Sequence, residues 1–263
     1  MLYNILSWTE QILQVGVLTF ILVRSVLLIK RGLNTVIPVF FCFGMLGFLI
    51  SDIYWIVHSM MLPGERIPFA VNLIGENAVF LLCTSLLKVV FGKEEMKAGI
   101  ETVITAIFAT AITGLWIAWS GEWLKDILSG IVYGYFLTVV VRAVKLSNVL
   151  TKKERHWAAV FSLVFVTLMI VQLFIPSPMS IYLEYFYYVI AFIGLAYCAL
   201  NTVTAFRNKK DSSYLITSSF MSFAWATNTM YVSAAPVYEM ASIVCSIMML
   251  FMLFAVEKKA EES

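Results

Sequence analysis

Residues 47–80 read GFLISDIYWIVHSMMLPGERIPFAVNLIGENAVF, which is two apolar stretches joined by a short polar turn. Each stretch is long enough for a helix, and the turn contains the proline and glycine that break helices. Asp52 lies eight residues before Met60, and Glu76 lies eight residues after Pro68. At a rise of about 1.5 Å per residue, both carboxyls lie roughly 12 Å from the turn, at matching depth. Ionisable side chains at such depth in a membrane are candidates for a functional site.

The composition places the chain in a bilayer. Its 263 residues are 61% hydrophobic and 13% charged, with a mean hydropathy of +0.90, which is too little polar surface for a soluble protein of this size. Apolar runs of about twenty residues recur, each long enough as a helix to cross the hydrocarbon core. Runs such as LVFVTLMIV are apolar on every face and lack strand-like alternation. We therefore predict an all-α integral membrane protein.

The apolar runs predict a polytopic bundle of about nine transmembrane helices in one domain, residues 1–263. Its weakest boundary is Ser120–Gly121, where a kinked helix would give the same pattern. A glutamate near the start of each descending helix favours one helix followed by four helical hairpins, although the helix dipole also favours such glutamates. These glutamates are Glu10, Glu76, Glu122, Glu184 and Glu239. The predicted helices span residues 5–29, 36–60, 68–91, 98–120, 122–146, 156–175, 180–206, 213–233 and 236–257.

The basic residues indicate the orientation of this bundle. On the nine-helix map, fifteen Lys and Arg residues fall on one side, whereas only Arg66 and Lys125 fall on the other. Arg24 lies near the inner end of the first helix, where its long side chain can reach the interface. Because cytoplasmic loops carry the excess of Lys and Arg, we predict a multi-pass cell-membrane protein with its N-terminus outside and its C-terminus in the cytoplasm.

The predicted site lies in the outer half of the bundle. We expect few polar groups in the inner half. Two carboxyls at one depth cannot both ionise cheaply, so we expect at least one, Glu76 in preference to Asp52, to be neutral at pH 7. Asn72 shares a helix face with Glu76, and His58 suits a proton relay or a plain interfacial hydrogen bond. The predicted ligand- or proton-binding residues are Asp52, Glu76, Asn72, His58, Arg66, Asp126, Glu184 and Asn228.

Two side-chain interpretations stay open at this point. Arg66 can close over the cavity and pair with Asp52 or Glu76, or it can meet Glu65 and lipid headgroups. Trp116, Trp119 and Trp123 cluster near the outer interface, where an aromatic belt is the favoured interpretation and a stacking wall for a ligand is the alternative.

Several chemistries are disfavoured by the sequence. The four cysteines stand singly in apolar runs, so no metal site or disulfide framework is expected, and no cofactor is predicted. No lysine lies deep in a helix, which argues against a retinal Schiff base. No GxSxG, HExxH, Walker or Rossmann motif occurs.

The leading functional hypothesis is a protein that binds or transports a small solute through an outward-opening polar cavity, with proton coupling as an option. The alternatives are an intramembrane lipid-modifying enzyme, such as a lysoplasmalogenase-like acid/base hydrolase, and a membrane sensor or assembly subunit. The chain matches no motif of that hydrolase family. We expect the lipid bilayer and a small molecule or lipid as partners and no nucleic acid, and we leave an oligomer open.

The charge distribution generates a topology prediction. We expect a tag at Met1 to be labelled on intact cells by a membrane-impermeant reagent, and a tag at Ser263 to be labelled only after permeabilisation. The opposite labelling pattern would invert the topology and turn the predicted cavity toward the cytoplasm.

Overall fold

The described residues form a bundle of nine α-helices, with no strand among them. The structure is a computed structural model that describes residues 2–32, 36–62, 69–92, 99–176, 179–231 and 236–262, with the backbone alone for residues 2–5, 69–73, 100, 119 and 120. The helices are α1 Leu2–Lys30, α2 Val36–Met61, α3 Phe69–Phe91, α4 Ile100–Ser120, α5 Trp123–Leu146, α6 Lys152–Gln172, α7 Met179–Arg207, α8 Ser212–Tyr231 and α9 Val237–Glu262.

The break at Ser120–Gly121 is a true boundary between two helices. Gly121 adopts a left-handed conformation with φ of 73°, and its N–H donates to the carbonyl of Ile117 at 2.9 Å. This geometry ends α4, because glycine accepts a positive φ without a steric penalty. Each predicted hairpin is present as a packed pair: α2 with α3, α4 with α5, α6 with α7, and α8 with α9. Whether these pairs are repeats of one another stays a prediction.

Eight of the described helices are long and apolar enough to cross a membrane, and α8 is the exception. Serine and threonine are frequent in its sequence, SSYLITSSFMSFAWATNTMY, yet most of its residues are buried. Ser212 at its start contacts Glu262 near the end of α9, and Tyr231 at its end contacts Glu76 of α3. With 20 residues, α8 is about 30 Å long. It therefore runs through the height of the bundle as a ninth span shielded from lipid.

The central position of α8 follows from its neighbours. It contacts α3, α5, α7 and α9, whereas α9 also contacts α1 and α2. α4 packs on α5 and α6, and α6 packs on α4 and α7, so this pair lies at the periphery. Large apolar side chains such as Ile107 of α4 and Leu163 of α6 are exposed on the outer faces. The bundle thus turns its apolar surface outward to lipid and encloses its polar helix.

Small residues set the closest helix contact, between α2 and α3. A Cβ atom on Gly75 would lie 2.7 Å from the carbonyl oxygen of Gly47 and 2.8 Å from Cβ of Ser51. A Cβ atom on Gly47 would lie 3.3 Å from Cβ of Ala78. The two backbones approach this closely because glycine leaves no side chain between them, as is common where membrane helices pack. This crossing fixes the relative positions of the predicted pair Asp52 and Glu76.

The contact between α4 and α5 is also formed by small residues. Gly130 and Gly134 stand four residues apart on α5, and a Cβ atom on each would collide with Thr113 and Ala109 of α4 respectively. The spacing places both glycines on one face of α5, against two small residues with the same spacing on α4. The hairpin is therefore held by small side chains of α4 that pack on the glycine backbone of α5.

The prediction of few polar groups in the inner half is wrong. Thr202 Oγ1 of α7 lies 2.8 Å from Ser222 Oγ of α8 and donates to the carbonyl of Ser218 at 2.8 Å. Ser147 donates to Thr217 Oγ1 at 2.8 Å. Hydroxyl groups of this kind bond within the bundle without a charge, so they are cheaper to bury than carboxyls. The predicted distribution rests on charged and amide side chains and does not include these hydroxyl groups.

The basic residues assigned to the inner side meet at one end of the bundle. Arg24 of α1 bonds to Glu257 of α9 at 2.9 Å, and Lys258 donates to the carbonyl of Lys210 at 2.6 Å. Lys145 of α5 pairs with Glu101 of α4. These contacts join four helix ends into one basic end, as the sidedness of the charges predicts. Which side of the membrane this end faces stays a prediction, since Met1 and Ser263 lie outside the described residues.

The α2–α3 crossing generates a stability prediction. Gly75→Ala should lower the free energy of unfolding by about 1–3 kcal/mol, because the new methyl group collides with the Gly47 carbonyl and cannot be accommodated by rotating a side chain. Gly114→Ala on α4 is the matched control, because no atom lies within 4 Å of the position of its Cβ. Thermal unfolding in detergent compares the two variants. Equal stability of the two would contradict the close crossing.

Candidate functional site

A cavity of about 90 Å³ lies in the outer half of the bundle, opposite the basic end. Five helices contribute to its wall: α1, α2 and α3 on one side, and the end of α8 with the start of α9 on the other. Three carboxyl-bearing residues, one from each of α1, α2 and α3, face it. The residues lining the cavity are Glu10, Gln11, Gln14, Phe48, Asp52, Trp55, Ile56, Glu76, Thr227, Met230, Tyr231 and Tyr238.

The structure brings the predicted pair Asp52 and Glu76 together at this cavity. Ser51 and Gly75, their neighbours in sequence, touch at the close crossing of α2 and α3, so the crossing places both carboxyls in one wall. Tyr231 donates its hydroxyl to Glu76 Oε2 at 2.8 Å. Asp52 Oδ2 is buried and has no hydrogen-bond partner in the described part of the chain. Among the described residues, a hydroxyl donor therefore stands at Glu76 Oε2 and none at Asp52 Oδ2.

Glu10 and Gln14 of α1 form a second polar group with Ser242 of α9. The Ser242 hydroxyl contacts a carboxyl oxygen of Glu10 and lies 2.7 Å from Gln14 Oε1. A hydroxyl has one proton to donate, so it cannot serve both oxygens as a donor. Either the Glu10 carboxyl carries a proton and donates it to Ser242, or the Gln14 amide is turned so that its NH₂ group donates.

The carboxyls of this region lack basic partners. Glu10 is 5% exposed and Glu239, which lies on α9 within electrostatic range of Glu10, is 4% exposed. Glu239 Oε2 has no hydrogen-bond partner among the described residues. Within the same residues, no Lys or Arg forms an ion pair with Glu10, Asp52 or Glu239. Buried carboxylates without a counter-charge are expensive, which favours uptake of a proton or another cation.

Four other predicted site residues lie away from the cavity wall. His58 is buried, with its ring 6.2 Å from that of Tyr54 and with Nδ1 unpaired in the described region. Asp126 is buried in the first turn of α5. Glu184 accepts hydrogen bonds from Tyr188 and, at 3.5 Å, from Gln172. Asn228 is buried on α8, and neither polar atom of its side chain has a partner within the described ranges.

The remaining two predicted residues cannot be placed as side chains. Arg66 lies outside the described residues, and for Asn72 only the backbone within α3 is described. The proposed closure by Arg66 and the amide support by Asn72 therefore stay predictions.

The sequence analysis missed several residues of the cavity wall. Gln14, Tyr231, Tyr238 and the nearby Ser242 were not singled out, and Glu10 was treated as either a capping or a cavity residue. The sequence does carry a signal for Glu10 and Gln14, because they are four residues apart and share one face of α1. No sequence signal places the ends of α8 and α9 beside α1, since that contact is long-range.

Packed aromatic rings lie at mid-height of the bundle, and one of them, Phe48, lines the cavity. These rings, Phe48, Phe80, Phe136 and Phe223, here called the aromatic floor, come from α2, α3, α5 and α8. Their ring centroids are 5.0 Å apart for Phe80 and Phe136, 6.1 Å for Phe136 and Phe223, and 6.5 Å for Phe48 and Phe223. Such distances are those of packed aromatic pairs.

Trp116 extends this packing toward the cavity and corrects its assignment to an interfacial belt. Its ring lies 5.3 Å from that of Tyr231 and 5.8 Å from that of Tyr133. It therefore supports the tyrosine that bonds to Glu76. Trp123 is largely exposed, as a belt residue should be, whereas the side chain of Trp119 lies outside the description.

The fold and the cavity define a multi-spanning helical membrane protein with a carboxyl-lined site. No three His, Cys, Asp or Glu side chains of the described residues lie close enough together to hold a metal ion. Comparisons with protein-family models, curated proteins and solved structures find no match to this chain.

The Glu10–Ser242–Gln14 group generates a stability prediction. Ser242→Ala should lower the free energy of unfolding by about 1–3 kcal/mol, because it leaves two buried polar side chains without their shared partner. Ser246→Ala is the matched control: Ser246 is equally buried one turn further along α9, but its hydroxyl only donates to the carbonyl of Ser242 at 3.0 Å. Chemical or thermal unfolding in detergent measures both. A control variant as unstable as Ser242→Ala would contradict the special role of Ser242.

Proposed function

We propose that this membrane protein binds and moves a small cation, with protons exchanging at the carboxyls of the outer cavity. The observation that supports the proposal best is that two carboxyls of the cavity wall have no basic partner among the described residues: Glu10, which is buried, and Asp52, whose Oδ2 atom is buried. A bound proton or monovalent cation supplies the missing positive charge. Binding then neutralises the site, and release restores a buried charge that favours the next uptake.

The size of the cavity supports a small ligand. Its volume of about 90 Å³ is several times the roughly 10–15 Å³ that one buried water molecule needs, so it has room for a small group of waters. Sites for drug-sized ligands are larger, at about 300–1,000 Å³. A proton, a monovalent ion with its waters or an ammonium ion fits this volume, whereas a lipid headgroup needs a wider site. The volume therefore favours the ion over the intramembrane lipid-modifying reaction.

The contacts of the carboxyls support proton exchange. Ser242 beside Glu10, and Tyr231 beside Glu76, are hydroxyl groups that can both donate and accept a proton. Both glutamates thus have a partner that tolerates a change of protonation without leaving an unsatisfied donor. Asp52 Oδ2 has no such partner in the described region and faces the site as the acceptor that an incoming proton or cation can bind.

Reconstituted protein tests the proposal directly. Liposomes that contain the protein are loaded with a pH dye, and the external pH is then changed, with and without Na⁺, K⁺ or ammonium. Their internal pH should change faster than that of empty liposomes. Asp52→Asn should reduce the protein-dependent rate by at least about tenfold, because one isosteric change removes a carboxyl that cannot be replaced by its neighbours. Glu122→Gln is the matched control, because Glu122 pairs with Lys125 at 3.1 Å at the outer end of α5, away from the cavity wall.

Two results would contradict the proposal. One is a parent protein that behaves like empty liposomes with protons and with all three cations. The other is an Asp52→Asn protein that folds and moves ions at the parent rate.

A further inference from the structure

A second charged site lies at the basic end, where the start of α4 meets the last turns of α5. Arg142 and Lys145 of α5 both approach Glu101 of α4. Lys145 forms a close hydrogen-bonded pair with one Glu101 oxygen, whereas the Arg142 guanidinium remains 4.0 Å from the other. One carboxylate therefore serves two cations, and the more distant of them, the arginine, has no other ion pair in the described chain.

Arg142 is unusual because it is buried in this under-paired state. It is 8% exposed, and its Nε has no hydrogen-bond partner within the described residues. A guanidinium group has five N–H donors in a planar fork and stays charged at all physiological pH values. A buried arginine with one distant carboxylate is consequently a strong candidate for binding a further anion.

The backbone beside Arg142 adds a second feature that suits an anion. α4 begins at Ile100 with Gly99 as its N-cap, and the N-terminus of a helix favours an anion. A Cβ atom on Gly99 would lie 2.7 Å from a terminal nitrogen of Arg142 and 2.7 Å from Glu101 Oε2. Gly99 is extended, with φ of −142°, so its backbone does not require glycine. The missing side chain instead lets the guanidinium lie directly against the start of α4, in a space that a methyl group would fill.

We propose that Arg142, with Lys145 and the N-terminus of α4, binds a phosphate group, and that its source is the headgroup of an anionic phospholipid. Glu101 and Lys145 neutralise each other, so the excess positive charge is that of Arg142 together with the helix N-terminus. A phosphodiester carries one negative charge and accepts two parallel hydrogen bonds from a guanidinium. The site lies about one helical turn inside the end of α5, at the level where lipid headgroups meet the bundle. This inference does not depend on the proposed function of the outer cavity.

Thermal unfolding of the purified full-length protein, with defined additions, tests the site. Micelles doped with phosphatidylglycerol should raise the unfolding temperature in a saturable manner, whereas phosphatidylcholine should not, because its choline neutralises the phosphate. Arg142→Gln should weaken the apparent affinity for phosphatidylglycerol by at least about tenfold. Lys153→Gln should leave it unchanged, since it removes an equal charge from the same end of the bundle at an exposed position.

A second variant keeps the test informative if Arg142→Gln does not fold. Gly99→Ala leaves every charge in place and fills the space before the guanidinium, and should also weaken the affinity. A shift produced by inorganic phosphate alone would support the anion site and identify its source as a soluble phosphate group. Equal shifts with both lipids, or equal losses in Lys153→Gln and Arg142→Gln, would overturn the proposal in favour of general attraction to the membrane.

Discussion

The contact on which the site depends is the backbone crossing of α2 and α3 at Gly47 and Gly75. It leaves no room for a side chain between the helices, and its contact between Gly75 and Ser51 lies one residue from each of the two carboxyls. A larger residue at Gly75 would move α3 away from α2 and carry Glu76 away from Asp52. The same crossing aligns Glu76 with Tyr231 of α8, because α3 and α8 are in contact. The polar site is thus positioned by an interaction between backbones that carry no charge.

The bundle places its polar groups according to what each can bond to. Hydroxyl groups line the contact of α7 with α8, where Thr202 bonds to the Ser222 hydroxyl and to the Ser218 carbonyl. The carboxyls occupy the outer cavity, where space remains for water or an ion. A soluble protein would turn such groups to solvent, whereas a bundle in lipid must enclose them. This explains why α8, which lacks a sufficiently apolar span, is packed against four other helices.

The sequence predicts the helices well because each span is a long apolar run that ends at a glycine, proline or charged turn. It also predicts the pairing of Asp52 with Glu76, since a tight turn brings equal depths together. It cannot place Glu10 and Ser242 in one cluster, because α1 and α9 are at opposite ends of the chain and helical periodicity says nothing about distant neighbours. Asp126 and Glu184 lie at the predicted depth, but neither lines the cavity. Depth along a helix therefore does not predict which side chains face the site.

The aromatic floor sets a physical constraint on the interior of this bundle. Phe80 packs on Phe136, and Phe136 packs on Phe223, so apolar rings occupy mid-height between α3, α5 and α8. A charge placed among such rings without water would incur a large desolvation penalty. Tyr231 bonds to Glu76 of the cavity wall and packs its ring on Phe80 at 6.2 Å. One side chain thus belongs both to the hydrogen bonding of the cavity and to the aromatic packing.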